Sequence, residues 1–278
     1  MKGVADLERT ISLALASAYV TGEKPISLMI VSDRPESGKT EVLSRFDETT
    51  GVALLSDATA HALWRDFEGQ IRLGLLKHIL IPEFLAPISR NTATVGSWIS
   101  TLQVMIEEGI KSLHTGSMRG AITFDKPMVV GVIACLPQLA YWKNRATWMY
   151  SGFLSRFLVV SYKYPADTVD SIFNSIMSRE YMAESKITRS FTTQAVEMPL
   201  GVAEMCKDLS MAITASARES QKIYGFRELK SIMRMVTANV VLENAQNGGH
   251  RTKAEPRDFD VIQQLSYLYT EQFNEVKQ

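Results

Sequence analysis

The sequence predicts an α/β fold, a parallel sheet with flanking helices, followed by an all-helical region. Apolar runs at 26–32, 79–81, 128–134 and 157–162 are of the continuous kind found in parallel sheets covered on both faces. Helical stretches separate these runs, and this alternation is typical of α/β proteins. From about residue 200 the strand signals vanish and three helical stretches follow.

The first predicted element is a helix over residues 4–20, because its apolar residues recur at helical spacing and Gly22 is a suitable helix stop. The later elements are, in order, a strand at 26–32, a helix at 41–46, a strand at 51–55, a helix containing Trp64 and Phe67, a strand at 79–81, a helix at 99–110, strands at 128–134 and 157–162, and helices at about 200–219, 226–246 and 256–275. We expect two units, an α/β core over 1–165 and a linker with a helical subdomain over 166–278.

Composition excludes several classes of protein. With 278 residues, 46% of them hydrophobic, the chain can bury a full core. Thirty basic and thirty acidic residues leave no net charge, so any nucleic-acid contact must come from a local basic patch. Cys135 and Cys206 are expected to be reduced core thiols, and the four histidines form no metal-spaced cluster. Without a secretory signal or an apolar run of about 18 residues, we expect a cytoplasmic protein with no membrane partner.

The most informative segment is the strand at 26–32 and the polar loop after it, which ends in Gly38-Lys39-Thr40. A phosphate-binding loop needs backbone N–H groups around the phosphate, a Lys on the β- and γ-phosphates, a hydroxyl on Mg²⁺ and a helix whose N-terminus faces the anion. We therefore expect ATP and Mg²⁺ here, with Thr40 as the metal ligand. The alternative is an ordinary strand-to-helix turn. The residues predicted to contact the nucleotide are Asp33, Arg34, Pro35, Glu36, Ser37, Gly38, Lys39, Thr40 and Glu41.

Two residues depart from the usual pattern of P-loop ATPases. Asp33 stands where the G-x-x-x-x-G-K-S/T pattern begins with Gly, although Asp tolerates positive φ better than most residues. Pro82 precedes Glu83 after the third predicted strand, where such enzymes normally carry Asp-Glu. Glu83 remains a candidate base or an ordinary surface carboxylate, whereas Mg²⁺ would depend on Thr40, phosphate oxygens and Asp57. These departures favour nucleotide binding over fast turnover.

Further motifs carry a resemblance to a known family. A strand ends at Gln138, a Leu-Ser-Arg-Phe motif at 154–157 precedes the next strand, and residues 226–238 begin with Phe-Arg-Glu-Leu. In this order and spacing the chain resembles AAA+ ATPases, most closely the minichromosome-maintenance (MCM) helicase branch, from residue 26 to about residue 270. The resemblance implies that the helical region is the lid subdomain of that family.

The resemblance also assigns roles to three residues. Gln138 would be the first sensor, Arg156 an arginine finger that acts on the neighbouring subunit's nucleotide, and Arg227 the second sensor. Guanidinium groups suit this chemistry because charge spreads over the γ-phosphoryl oxygens in the transition state and Arg binds them bidentately. The alternatives are a loop-capping Gln138 and ordinary helix-end or surface charges at Arg156 and Arg227.

The segment 109–124 alternates apolar and polar residues around a Thr-Gly pair, a pattern that predicts a β-hairpin. Its position is similar to that of the hairpin which MCM-like ATPases point into the central channel of the ring. Lys111, His114 and Arg119 would then face the phosphate backbone of DNA, each contact weak alone but repeated by every subunit. The alternative is a solvated surface hairpin.

After Gln138 we expect an irregular loop before the Leu-Ser-Arg-Phe motif. An aromatic and basic part of this loop is predicted to contact a neighbouring subunit, because the finger beside it must reach a neighbour's nucleotide. This part consists of Trp142, Lys143, Asn144, Arg145 and Trp148.

Three functions are compatible with these motifs. The first is an ATP-driven homo-oligomeric ring, expected to be a hexamer, that acts on DNA as a replication helicase or loader of a mobile element. The second is an ATP-gated scaffold that assembles and recruits a replication or other partner protein with little hydrolysis. The third is a protein-remodelling ATPase, a hypothesis that Leu113 and Met118 keep open, whereas the basic hairpin residues favour DNA.

Overall fold

The computed structural model describes residues 4–32, 37–56, 60–113, 122–164, 166–179, 186–216 and 225–269. Two sheets contain the seven strands of the described residues: β1 (Leu28–Ser32), β2 (Val52–Leu54), β3 (His78–Ile81), β4 (Ile110–Leu113), β5 (Ile122–Met128), β6 (Gly131–Pro137) and β7 (Leu158–Tyr162). Five of them form a parallel sheet in the order β2-β3-β6-β1-β7, and β4 pairs antiparallel with β5. The predicted α/β class is confirmed.

Helices lie between and after these strands. Their bounds are α1 (Ala5–Ser17), α2 (Lys39–Ser44), α3 (Ala60–Arg72), α4 (Leu85–Ile88), α5 (Thr92–Gln103), α6 (Gln138–Tyr150), α7 (Ala166–Met177), α8 (Leu200–Ser216), α9 (Phe226–Asn247) and α10 (Pro256–Leu265). A π-helical turn over Val104–Glu108 follows α5, and short 3-10 turns occupy Leu154–Arg156 and Ser266–Tyr269.

The parallel sheet divides the core into two layers because successive side chains of a strand point to opposite faces. In β1, which is buried throughout, Leu28 and Ile30 pack with α1, α2 and the C-terminal helices, whereas Met29 and Val31 pack with α3, α5 and α6. Both faces are therefore covered, which explains why the strands are continuously apolar in sequence.

The described residues after 199 contain helices and turns and no extended strand. The long helix α9 packs against α1, α8 and α10, and these helices share one apolar cluster with β1, β6 and β7. Asp258, which is fully buried, accepts hydrogen bonds from Asn239 at 2.7 Å and from Arg251 at 2.5 and 2.9 Å, and it fixes α10 against α9. The division at residue 165 stays a prediction.

One sequence prediction on local structure was wrong, and two others had bounds that differ from those of the observed elements. The stretch after Gln138 is the helix α6 and not an irregular loop, because Tyr141 and Trp148 lie seven residues apart on one buried face and no Gly or Pro interrupts the stretch. The predicted helix at 99–110 is α5 followed by the π-helical turn, and the predicted strand at 128–134 is divided between the end of β5 and the start of β6.

Within the described ranges, no helix is both long enough and apolar enough to cross a membrane.

Candidate nucleotide site

The loop after β1 ends in a tight turn at Gly38. This residue has φ +71°, a left-handed conformation that favours glycine, and it caps the N-terminus of α2. Its carbonyl oxygen accepts a hydrogen bond from Val42 N at 2.9 Å, so the helix begins immediately after the turn. The predicted contact residues Asp33, Arg34, Pro35 and Glu36 lie outside the described residues.

Lys39 is held at the carboxyl end of β1. Its Nζ donates hydrogen bonds to Ser32 Oγ and, at 3.1 Å, to Ser37 Oγ. Ser37 Oγ in turn donates to Ser32 Oγ at 2.7 Å, so the two hydroxyls and the ammonium form one cluster. The side chain is thereby oriented over the strand end, where a ligand of a parallel α/β sheet binds.

Two tyrosines from the neighbouring strand anchor the same loop. The hydroxyls of Tyr162 and Tyr164 donate to the carbonyl oxygen of Ser37 at 2.7 and 2.8 Å. Burial is the main cause that raises the pKa of each tyrosine above its usual value, so both remain neutral donors. Sequence reasoning missed both residues; the i, i+2 spacing indicated a shared face but not the loop that they contact.

Thr40 and Glu83 meet beside this cluster. Thr40 Oγ1 donates to Glu83 Oε1 at 2.7 Å, although the two residues belong to different elements. A hydroxyl that donates its single proton keeps its lone pairs for a cation, and Mg²⁺ prefers oxygen ligands. Among the residues that the structure describes, no group of three acidic, His or Cys side chains could hold a metal, and Asp57 lies outside them. A magnesium ion would therefore depend on Thr40 and phosphate oxygens, with Glu83 orienting the hydroxyl.

Cys135 in β6 lies close to this loop. Its buried thiol lies 3.9 Å from the carbonyl oxygen of Lys39. Burial raises the pKa of this thiol to about 12, while the charge of Lys39 lowers it and that of Glu83 raises it. The thiol itself is neutral and unpaired, as predicted for a reduced core cysteine.

The other predicted residues of this site lie near the carboxyl ends of the central strands. Gln138 is the first residue of α6 and directly follows β6, which lies between β1 and β3. Glu41 is exposed in the first turn of α2. We call this edge of the sheet, with Lys39, Thr40, Glu83 and Gln138, the phosphate edge.

The predicted finger Arg156 lies at the opposite edge. It belongs to the 3-10 turn just before β7, and Leu158 N, at the start of that strand, bonds Ser27 O at 2.9 Å before β1 begins. From Ser27 to Ser32 the backbone advances about 16 Å, at about 3.3 Å per residue. We call this edge the arginine edge.

Contacts within the chain fix the Arg156 guanidinium. Nη1 donates to Gly152 O at 2.6 Å, and Nη2 pairs with Glu108 Oε1 at 3.1 Å. The side chain is 14% exposed, while that of Glu108 is 55% exposed. The remaining nitrogen, Nε, is buried and has no hydrogen-bond partner among the described residues. Glu108 was not identified from the sequence, because the turn that brings it here is π-helical.

Arg227 lies beside Arg156 at the arginine edge and not at the phosphate edge. At the start of α9, its Nη1 donates to Ser155 Oγ, the residue next to Arg156. Glu107 Oε1 accepts a hydrogen bond from Lys24 Nζ at 3.1 Å. Burial raises the pKa of Glu107. The hydrogen bond from Lys24 and the charges of Lys24, Arg227 and Arg156 together lower it by more, so the pKa of Glu107 lies below its usual value. The two predicted arginines thus form one cluster.

The hairpin predicted at 109–124 is present as the antiparallel pair of β4 and β5, with Ser112 opposite Thr123. Lys111 lies in β4 with an exposed side chain. His114 and Arg119 lie outside the described residues, as does the predicted turn.

In comparisons with protein-family models and with curated proteins, no family model and no curated sequence matches the chain.

Proposed function

We propose that the protein is an ATP-binding subunit of a homo-oligomeric ring, of the AAA+ kind and similar to the MCM branch, that hydrolyses ATP and acts on DNA. The observation that supports this most is the separation of Lys39 and Arg156 to opposite edges of one sheet. A phosphate loop and an arginine cluster that cannot meet within one copy are complementary between two copies.

At the phosphate edge, the chain's own groups would bind and orient ATP. Lys39 lies where its ammonium can contact the β- and γ-phosphates, and Gly38 positions the loop for close backbone approach. Magnesium, when bound, would neutralise charge on the phosphate oxygens. Thr40 would hold it, and Glu83 would keep the Thr40 hydroxyl oriented through the 2.7 Å hydrogen bond.

Glu83 would therefore carry two tasks in one carboxylate. Pro82 stands where P-loop ATPases place the aspartate that orients the metal, and in this proposal Glu83 takes that role through its contact with Thr40. The second task is polarising the attacking water. A single carboxylate that shares both tasks favours slow turnover.

At the arginine edge, Arg156 would contact the γ-phosphate of the next copy, with Arg227 beside it. Binding exchanges the Glu108 carboxylate, which is largely exposed, for a more highly charged phosphate. Arginine fingers contribute about 10³ to 10⁵ in rate, so hydrolysis would depend on assembly.

Action on DNA is supported by the β4–β5 hairpin, which carries the exposed Lys111. In a ring this residue would be repeated once per subunit, and repeated weak phosphate contacts add up. An ATP-gated scaffold is the second candidate, and the observation in its favour is the single carboxylate at Pro82-Glu83. We propose further that α8–α10 act as the lid over the nucleotide.

The test measures ATP turnover by the full chain alone, with single-stranded DNA and with double-stranded DNA, while mass is recorded in parallel. We expect slow turnover that rises with DNA and with oligomer formation, and that is absent in Lys39→Ala but normal in the matched surface variant Lys207→Ala. Nucleotide-dependent assembly without any turnover would instead favour the scaffold. If Lys39→Ala and wild type bind ATP equally in titration calorimetry, the phosphate loop is wrongly assigned.

A further inference from the structure

Helix α7 presents an apolar stripe to solvent. Val169, Phe173, Ile176 and Met177 recur at i, i+4, i+7 and i+8, which places them on one helical face. Their exposed fractions are 36%, 61%, 51% and 74%. Contiguous apolar surface of this kind marks an interaction site in soluble proteins. This exposed stripe can therefore bind a partner.

Helix α6 presents a second stripe of different composition. Leu139, Lys143, Ala146 and Tyr150 are spaced at i, i+4, i+7 and i+11 and all are exposed, with Leu139 at 78% and Tyr150 at 97%. The opposite face of the helix is buried in the core. The exposed face therefore combines apolar residues at both ends with a cation in the middle.

The two helices carry opposite charges. The sequence of α6 contains Lys143 and Arg145 and no acidic residue, whereas that of α7 contains Asp167 and Asp170 and no basic residue. Asp170 and Met177 are seven residues apart, so this carboxylate flanks the apolar stripe. Neither Lys143 nor Asp170 has an ion-pair partner within the described part of the chain. Complementary charges of this kind select a partner and its register.

The two helices have defined positions relative to the two edges of the sheet. Helix α7 begins two residues after Tyr164, which bonds the carbonyl of Ser37 in the phosphate loop. Helix α6 runs from Gln138 at the phosphate edge to Tyr150, six residues before Arg156 at the arginine edge. A copy that places its α6 antiparallel on α7 of the next copy therefore brings its arginine edge toward that copy's phosphate loop.

We propose that α7 of one copy docks antiparallel on the exposed face of α6 of a second copy, in a head-to-tail contact that pairs Asp170 with Lys143 and covers Phe173 with Leu139. The two surfaces differ, so the contact is heterologous and generates a ring where the rotation closes. This inference deepens the proposed function and rests on it for the direction of the contact.

The test is charge reversal in two separate variants, Asp170→Lys and Lys143→Glu. Each alone sets like charges against each other at every contact, and we expect self-association to weaken about tenfold or more. In an equimolar mixture, opposite charges meet again at every contact between unlike copies. The Asp170→Lys site of the first variant faces the Lys143→Glu site of the second, and at the next contact the unchanged Asp170 faces the unchanged Lys143. The mixture should recover the self-association constant of the wild type.

Self-association is measured by analytical ultracentrifugation with and without ATP and Mg²⁺. The control is Asp208→Lys, an exposed charge reversal on α8, which should leave the self-association constant unchanged. Recovery in the mixture supports the contact. Wild-type self-association in both single variants, no recovery in the mixture, or a monomeric wild type under all conditions overturns it. ATP affinity is measured on the same samples by calorimetry. Any of these overturning results together with intact ATP binding rejects the interface alone, whereas absence of ATP binding in the wild type rejects the proposed function.

Discussion

The phosphate edge and the arginine edge differ in the functional groups that they carry. At the phosphate edge, contacts with Ser32, Ser37 and Glu83 orient the side chains of Lys39 and Thr40. At the arginine edge, two guanidinium groups sit together with carboxylates as their charged partners.

In the proposed function, each edge supplies one half of a phosphoryl-transfer site. The first half would bind the triphosphate, and the second half would supply the charge that stabilises its transition state. Since about 16 Å of strand separates the two edges, a complete site would then require a second copy of the chain. The difference between the edges thus predicts that binding and turnover respond to different mutations.

The largest expected effect separates Arg156→Ala from Lys39→Ala. Both variants should lose turnover, the Arg156 variant by up to about 10³ to 10⁵ relative to wild type, although a slow parent enzyme leaves less to lose. Only Lys39→Ala should lose ATP affinity, since Arg156 does not contact the phosphate loop of its own copy. Steady-state hydrolysis and titration calorimetry on the same preparations give both quantities. Loss of ATP affinity in Arg156→Ala would place both edges in one site.

A smaller effect is expected for the carboxylate at the phosphate edge. Glu83→Gln should remove most turnover, by about 10² to 10⁴ if Glu83 acts as the base, while ATP still binds. Because Glu83 also orients the Thr40 hydroxyl, the variant should need more Mg²⁺ for half-maximal binding, as should Thr40→Ala. Calorimetry across a magnesium series measures this. An unchanged magnesium requirement in Glu83→Gln would limit Glu83 to the role of base.

Much of the fold was predictable from periodicity and glycine position. Continuous apolar runs identified four strands of the parallel sheet, and Gly38-Lys39-Thr40 identified the start of α2. Strand order was not predictable, because it depends on which apolar faces pack. The helix α6 was missed because polar and aromatic residues obscure its buried positions at Tyr141 and Trp148.

The candidate site was predictable only as a set of residue types. The sequence identified Lys39, Glu83, Arg156 and Arg227, but not which of them lie together. Contacts between distant segments, such as Tyr162 on the phosphate loop and Glu108 on Arg156, leave no local signal. A residue's neighbours across the sheet follow from topology, which no single segment encodes.

A third effect concerns the buried start of β3, near the arginine edge. His78 Nε2 lies 3.0 Å from Ile26 O, and Nδ1 has no partner among the described residues. Burial lowers the pKa of His78 from 6.5 to about 4, a hydrogen bond with Ile26 opposes this, and Lys77 adds to it. The unfolded chain therefore binds the proton more tightly, and stability is lost as pH falls from about 6.5 toward 4.

Between pH 7.5 and pH 5 this histidine should lower the free energy of unfolding by about 2 kcal/mol. Urea denaturation at the two pH values measures the difference. His78→Gln should be less stable at neutral pH but should lose this component of the pH dependence. The exposed His250→Gln serves as the matched control and should behave as the wild type. An unchanged pH dependence in His78→Gln would show that other groups cause the loss.

The smallest expected effect tests the hairpin, which belongs to neither edge. Replacing Lys111 and Arg119 together by Ala should reduce the slope of log affinity for DNA against log salt by about 1.4 to 1.8, since each phosphate contact contributes about 0.7 to 0.9. ATP affinity should not change. Lys207 and Lys230, replaced together, provide the control on exposed helix surfaces. A slope equal to that of the wild type would make the hairpin an ordinary surface feature.

We propose that one copy's phosphate edge is completed by the arginine edge of another. Mixing Lys39→Ala with Arg156→Ala and recording ATP turnover alongside mass tests this. Each variant alone should be nearly inactive, but in mixed oligomers an Arg156→Ala copy would bind ATP while its Lys39→Ala neighbour contributes Arg156. We expect the mixture to recover part of the wild-type turnover. A wild type that is fully active as a monomer, or mixed oligomers that form without any recovery, would contradict it.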